Sequence, residues 1–239
     1  MSADLAGKVV VVTGAAGNLG RAVAAAFARA GATLALLDQD EATLAAVGPG
    51  GSGAAAVLRV PADALNPASM EAAAERVARE LGRVDALCNL IGGFRMGHPV
   101  HATPAEVWRL MMDLNAGSLL NAAQAFVPRI LAGGRGGKVV NVAAAAATRG
   151  TAEMGAYSAS KAAVMRLTES MSAELRGAGV NVNCVMPTTM DTPQNRAAMP
   201  KADPRGWVTT EAVADVILFL CTDAARAVHG AAIPVSGGA

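Results

Sequence analysis

The feature that most constrains this chain is a repeated alternation. Seven short runs rich in Val, Leu and Ile, near residues 8–13, 33–37, 55–60, 84–90, 138–143, 180–185 and 231–235, are separated by longer alanine-rich amphipathic segments. Each run is continuously apolar, as a strand is when both of its faces are covered, and helical segments between such strands supply the covering layers. The pattern predicts an α/β fold with a doubly wound, seven-stranded parallel sheet. A length of 239 residues fits one large domain over 1–239. Local chemistry fixes the frame: Asn66-Pro67 supplies a helix cap followed by proline at the first helical position, and Thr103-Pro104-Ala105-Glu106 has the spacing of a capping box. Residues 187–207 carry four prolines and little periodicity after a strand, and read as a long functional loop, a substrate lid.

Composition excludes several classes. Hydrophobic residues make up 53% of the chain, but 56 of them are alanines, which build helices without seeking lipid. No apolar run reaches the roughly 18–20 residues of a spanning helix. The first residues, Met1 to Lys8, enter a valine run without a signal-peptide pattern, so a cytoplasmic protein without a membrane partner is expected. A net charge of +1 and only seven aromatic residues give neither the basic face nor the stacking platforms that nucleic acid requires. Cys88, Cys184 and Cys221 each sit in an apolar run and read as buried thiols, not as metal ligands or disulfides.

The first strand-to-helix turn reads Thr13-Gly14-Ala15-Ala16-Gly17-Asn18-Leu19-Gly20. Glycines there let the backbone approach a pyrophosphate, and a helix start offers free N–H groups to the anion. A steric use of the same glycines is the alternative. Asp38 ends the second strand, 18 residues after Gly20, where a carboxylate can accept from an adenosine ribose and repel a 2′-phosphate. This favours NAD over NADP, with helix capping as the alternative role, although Asp40 is also available for capping. A nucleotide-binding P-loop is absent: Gly137-Lys138 is followed by Val139, and Ala132 stands where that motif begins with glycine. Tyr157 and Lys161, the only tyrosine and one of four lysines, lie one helical turn apart. A cation beside a phenol favours phenolate and brings the group toward acid–base work on a carbonyl oxygen.

Together with Asp63-Ala64, Asn89-Leu90-Ile91-Gly92, Asn115 and Pro187 followed by Asp191-Thr192, these features closely resemble the short-chain dehydrogenase/reductase family over essentially the whole chain. The resemblance implies a Rossmann-like fold with the strand order 3-2-1-4-5-6-7, and hydride transfer between NAD(H) and a small carbonyl or quinonoid substrate. It implies that Tyr157 gives or takes the proton. Lys161 would hold the nicotinamide ribose and lower the Tyr157 pKa, and Asn115 would organise a water relay. Gly14, Gly17, Asn18 and Leu19 would cradle the phosphates, and Asp63 and Ala64 would meet the adenine. Asn89, Gly92 and Pro187 would line the cofactor, and Thr192 would face the carboxamide. Family members usually pair helices near 104–131 and 154–176 into dimers or tetramers.

Two departures stand out. The second glycine of the family's turn falls at Gly17, one position early, leaving Asn18 in its place. The serine expected thirteen residues before the tyrosine is Ala144, inside Ala143–Ala147, which removes a hydrogen-bond donor to the substrate. One branch, dihydropteridine reductase, is similar in this omission, in Gly92-Gly93-Phe94, and in the loop Asp191-Thr192-Pro193-Gln194-Asn195-Arg196. Three functions follow from the resemblance: reduction of a quinonoid ring such as a pteridine, an ordinary ketoacyl or alcohol dehydrogenase that tolerates Ala144, or a non-catalytic NAD-binding protein. Thr148 and Thr151 are the nearby hydroxyls that could replace the serine. His98-Pro99-Val100-His101 lacks an acidic ligand nearby and is not expected to bind metal. Met96, Met154, Met186, Met190 and Met199 are candidates for lining an adaptable pocket.

Overall fold

The computed structural model describes residues 5–48 and 56–238. Seven parallel strands form one sheet: β1 (Val9–Thr13), β2 (Thr33–Asp38), β3 (Ala56–Pro61), β4 (Ala86–Asn89), β5 (Gly137–Val142), β6 (Val180–Pro187) and, last in the chain, β9 (Ala232–Val235). Their order is β3-β2-β1-β4-β5-β6-β9, the order expected from sequence. The expected start of the third strand at residue 55, and the leader reading of residues 1–4, lie outside the described residues.

Alternate residues of each strand feed two cores. Val10, Val12, Leu34, Leu36 and Cys88 face α1 (Asn18–Arg29) and α8 (Thr210–Leu220). Val11, Ala35, Leu37, Val60 and Leu87 face α3 (Pro67–Leu81) and α5 (Ser118–Ala132). Both faces being covered explains why the strands read as unbroken apolar runs. All three cysteines are buried free thiols, and the sulfurs of Cys88 and Cys221 meet at 3.9 Å between β4 and the end of α8.

The caps divide. Asn66 accepts from the N–H groups of Ala68 and Ser69 at the start of α3, as its sequence predicts. Asp40 likewise caps α2 (Glu41–Ala45), which frees Asp38 from that duty. The expected capping box at Thr103 does not form. The Thr103 hydroxyl instead donates back to the Pro99 carbonyl, closing the short 3-10 turn Val100–Ala102, so α4 (Ala105–Met112) begins uncapped after Pro104. Residues 187–207 are also more structured than a plain loop: β7 (Met190–Asp191) pairs in parallel with β8 (Val208–Thr209), and α7 (Pro193–Ala198) sits between them. Thr192 caps α7 by accepting from the Asn195 N–H, and Asn195 donates to the Met190 carbonyl. No helix among the described residues is long and apolar enough to cross a membrane.

The glycine turn is held by sterics at two points. Gly14 has a left-handed φ of 67°. A Cβ on Gly20 would lie 2.1 Å from the Gly14 carbonyl oxygen and 2.7 Å from the Ala15 Cα, so α1 can approach the turn only without a side chain there. At Gly17 the nearest atom to an added Cβ is 3.3 Å away and φ is −69°. Gly20→Ala is therefore expected to cost about 3 kcal/mol or more, because rigid backbone must move, whereas Gly17→Ala should cost about 1 kcal/mol or less. Urea denaturation of the two variants checks the ranking, and equal losses would contradict it.

Candidate active site

In a parallel sheet, loops leaving the carboxyl ends of the strands collect on one edge, and the sequence-predicted residues gather there. At the β1 end, the Ala15 N–H donates to the Leu37 carbonyl and the Ala16 N–H to the Asp38 carboxylate at 2.9 Å. Asp38 also accepts from the Gln39 N–H at 2.8 Å, so its carboxylate is oriented by two backbone donors at the mouth of the turn. Arg21 braces the same turn by donating to the Ala16 carbonyl. The start of α1 has no side-chain cap. The N–H groups of Asn18, Leu19 and Gly20 therefore stand at an open helix terminus, suited to a phosphate.

Asn18, in the place of the family glycine, donates to the Gln194 side-chain oxygen at 2.5 Å. This contact ties the glycine turn to α7 across 176 residues of sequence. Nothing in the local pattern around Gln194 marks it as a partner of the turn, and sequence reasoning missed it.

The second group surrounds α6 (Gly155–Leu175). The helix from α4 into α5 is interrupted by a π turn, Asp113–Gly117, which carries Asn115. Such widened turns re-aim a side chain out of the regular helical register and frequently mark functional sites. The Asn115 amide binds the backbone of Gly93 on both sides, accepting from its N–H at 3.0 Å and donating to its carbonyl at 3.1 Å. It also donates to the Ser160 hydroxyl at 2.9 Å, which in turn donates to the Tyr157 carbonyl. Ser160 and Gly93 are the joints of this network, and the motif spacing singled out neither for that work. A Cβ on Gly92 would fall 2.7 Å from Asn115 Oδ1 and 2.9 Å from Lys161 Nζ, so the glycine leaves both polar heads room at the loop. Asn89 is buried; it donates to Asn141, and its own Oδ1 has no partner.

Lys161 is buried, and its ammonium donates to the Val142 carbonyl at 2.8 Å. Burial pushes its pKa down from 10.5 to about 8. Burial pushes Tyr157 up, to about 12. The expected lowering of the tyrosine by the lysine does not appear here: exclusion from water favours the neutral form of both groups. The Phe94 ring packs edge-on against Tyr157, with centroids 4.8 Å apart and planes at 86°, forming an aromatic wall.

Ala144 is buried at the end of β5 and offers no donor. Thr148 does not replace one: it is exposed, and its hydroxyl donates to the Ala145 carbonyl. Thr151 is likewise exposed. Asp63 is exposed with its carboxylate accepting from the Leu65 N–H, and Ala64 is buried beside it, its carbonyl accepting from Asn121. Pro187 is buried at the end of β6, and Thr192 is buried with its oxygen committed to the α7 cap. Met186 belongs to the core, whereas Met96 and Met199 are exposed. Among the described residues, no group of three or more His, Cys, Asp or Glu could hold a metal ion, His98 and His101 included.

This geometry has known counterparts. Residues 14–239 match the family model described as Enoyl-(Acyl carrier protein) reductase. The chain is 35% identical to D-threitol dehydrogenase of Mycolicibacterium smegmatis, covering 98% of this chain and 93% of that one. It is 32% identical to (-)-trans-carveol dehydrogenase of Rhodococcus erythropolis, covering 99% and 98%. Among solved structures, carveol dehydrogenase from Mycobacterium avium in complex with NAD superposes with a TM-score of 0.88 at 25% identity, over 98% of this chain and 97% of that one. L-sorbose reductase from Gluconobacter frateurii, complexed with NADPH and L-sorbose, gives 0.90 at 26% identity over 100% and 98%. The protein belongs to the short-chain dehydrogenase/reductase family and is an NAD(P)-dependent oxidoreductase.

Two of the shifted groups, Lys161 and Tyr157, pull stability in opposite directions as pH rises. In the unfolded chain the lysine keeps its proton up to about 10.5, and in the fold only up to about 8. The fold therefore binds fewer protons between those values, and this group makes stability rise with pH across that window. Tyr157 acts oppositely above pH 10, where the unfolded phenol ionises first. Relative to Lys161→Met, the protein should gain on the order of 3 kcal/mol between pH 8 and pH 10.5. Urea unfolding of both forms across that range measures it, and a constant difference between them would refute the assignment.

Proposed function

We propose that this protein transfers hydride between NAD(H) and a small substrate, with Tyr157 as the single side chain exchanging a proton with the substrate. The observation that carries this reading is the network in which Asn115 and Ser160 fix the Tyr157 backbone carbonyl, and so the aim of its phenol, one helical turn from the buried Lys161, with no donor at position 144. A bound nicotinamide dinucleotide supplies or takes up the hydride. The open start of α1 with Asn18 and Leu19 would bind its phosphates, Asp63 and Ala64 its adenine, and Asn89, Gly92, Pro187 and Thr192 would flank its nicotinamide half. Asp38, held by two N–H groups, would accept from the adenosine ribose and repel a 2′-phosphate, giving preference to NAD.

The chain's own residues then divide the work. A phenol held near 12 is protonated at neutral pH and ready to donate to an oxygen or nitrogen that gains electrons. Lys161 is largely charged at pH 7 and stabilises the phenolate left behind. Asn115 holds the Gly92-Gly93 backbone and, through Ser160, the first turns of α6, so the phenol keeps its aim. Residues 187–207, latched to the turn through Asn18 and Gln194, would cover the substrate and exclude water.

The relatives named as threitol and carveol dehydrogenases support a secondary alcohol or ketone as the substrate class. Ala144 and the Phe94 wall favour a second reading, a planar quinonoid ring such as a pteridine, which is electrophilic enough to need only one proton donor. Loss of nicotinamide absorbance on adding quinonoid dihydropterin or simple ketones, with NADH and NADPH in parallel, separates the readings.

Tyr157→Phe should lower kcat by about a hundredfold or more on the productive substrate, and unchanged turnover would remove Tyr157 from the chemistry. If ketones are the substrates, Ala144→Ser should raise their reduction by about a hundredfold, the worth of a second donor to the developing oxyanion. No gain points to the quinonoid class. Asp38→Asn keeps the acceptor but loses the charge, and should narrow the NADH-over-NADPH ratio of kcat/KM; an enzyme already preferring NADPH would overturn the role given to Asp38.

A further inference from the structure

The opposite edge of the sheet, where the strands begin, holds a second site-like feature. A cavity of about 300 Å³ opens there, lined by residues that precede β1, β4, β5 and β6 and by the segment following α8. Its wall includes five cations, Lys8, Arg135, Lys138, Arg176 and Arg226, against two carboxylates, Asp85 and Asp223. His229 completes the ionisable lining. The chain as a whole has a net charge of only +1, so this concentration is local.

The carboxylates do not neutralise it. Asp85 is occupied by Arg83, outside the wall, and by the Val9 N–H at the head of β1. None of the five cations forms an ion pair among the described residues. Lys138 is the most telling. It is half-buried, its ammonium donates to the Asn181 side-chain oxygen at 2.7 Å, and that amide is buried and fixed from behind by donating to the carbonyls of Arg226 and Val228. A neutral amide thus holds a partly desolvated ammonium at the cavity wall. Burial and the nearby Lys8 charge lower the Lys138 pKa, while Asp223 only partly offsets them. Such a group costs stability unless a counter-charge arrives.

We propose that this cavity binds a compact polyanion, a small phosphorylated or polycarboxylic molecule, independently of the cofactor at the other edge of the sheet. The volume suits a molecule of that size.

The test is calorimetric titration of the whole protein, saturated with NADH so that the phosphate turn is filled, with inorganic pyrophosphate in one arm and citrate in the other, at constant ionic strength. Saturable binding is expected, weakened at least tenfold in Lys138→Gln/Arg226→Gln, with NADH affinity unchanged. Arg135→Gln/Arg176→Gln, at exposed positions, should weaken it in the same sense, and this second variant answers the question if the first does not fold. Tighter binding of pyrophosphate identifies a phosphorylated ligand, and tighter citrate binding a polycarboxylate. Binding of neither, or binding unchanged in a folded variant, would overturn the proposal.

Discussion

A buried ammonium held by one backbone carbonyl is the interaction on which the site depends. Lys161 reaches from α6 to the end of β5 and donates to Val142, pinning the helix to the sheet at the residue just before the Ala143–Ala147 turn. That contact fixes the rotation of α6, and with it the direction in which Tyr157 projects one turn earlier. The buried side of α6 accordingly includes Ser158, Ser160, Lys161, Thr168 and Ser172 beside few large apolar side chains. Thr168 satisfies itself on the Val164 carbonyl and receives a bond from Asn141 of β5. Backbone carbonyls and neighbouring amides meet the demand of Ser160, Lys161 and Thr168, while the buried Ser158 hydroxyl is left without a partner.

The helix is aimed from a second side by the π turn. Asn115 grips the Gly93 backbone and reaches Ser160, so the loop after β4, the α4–α5 helix and α6 are joined through one amide. The desolvation that keeps Tyr157 protonated and lowers Lys161 follows from this packing. The same burial therefore raises the Tyr157 pKa and lowers that of Lys161, favouring the neutral form of each.

The two edges of the sheet carry different electrostatics. At the carboxyl ends lie an open helix start and a backbone-held Asp38. At the amino ends, basic residues without an ion pair among the described residues gather around a cavity. Because every strand of a parallel sheet points the same way, loops of the two kinds cannot mix, and the fold separates the glycine-turn edge from a cationic edge.

The strand runs, Asn66 as a cap, and the positions of Gly14, Asp38, Tyr157 and Lys161 were legible in the sequence, because each rests on local periodicity or on spacing within one element, whereas the strand order followed from the resemblance to the family. The capping box at Thr103 was misread because a hydroxyl with two carbonyl or amide options takes the one that tertiary closure of the 3-10 turn presents. The Asn18–Gln194 latch, the Asn115–Gly93–Ser160 joint and the packing of Phe94 on Tyr157 join residues far apart in the chain, so no local pattern could announce them. The charge states could not be read from spacing either. The four-residue offset of Tyr157 and Lys161 says that a phenol and an ammonium share a helix face, while only the folded structure decides how much water they keep. The sequence by itself determined the architecture and which phenol and ammonium share a helix face; the tertiary structure decided their protonation and aim, because desolvation and long-range hydrogen bonds exist only once the layers have closed.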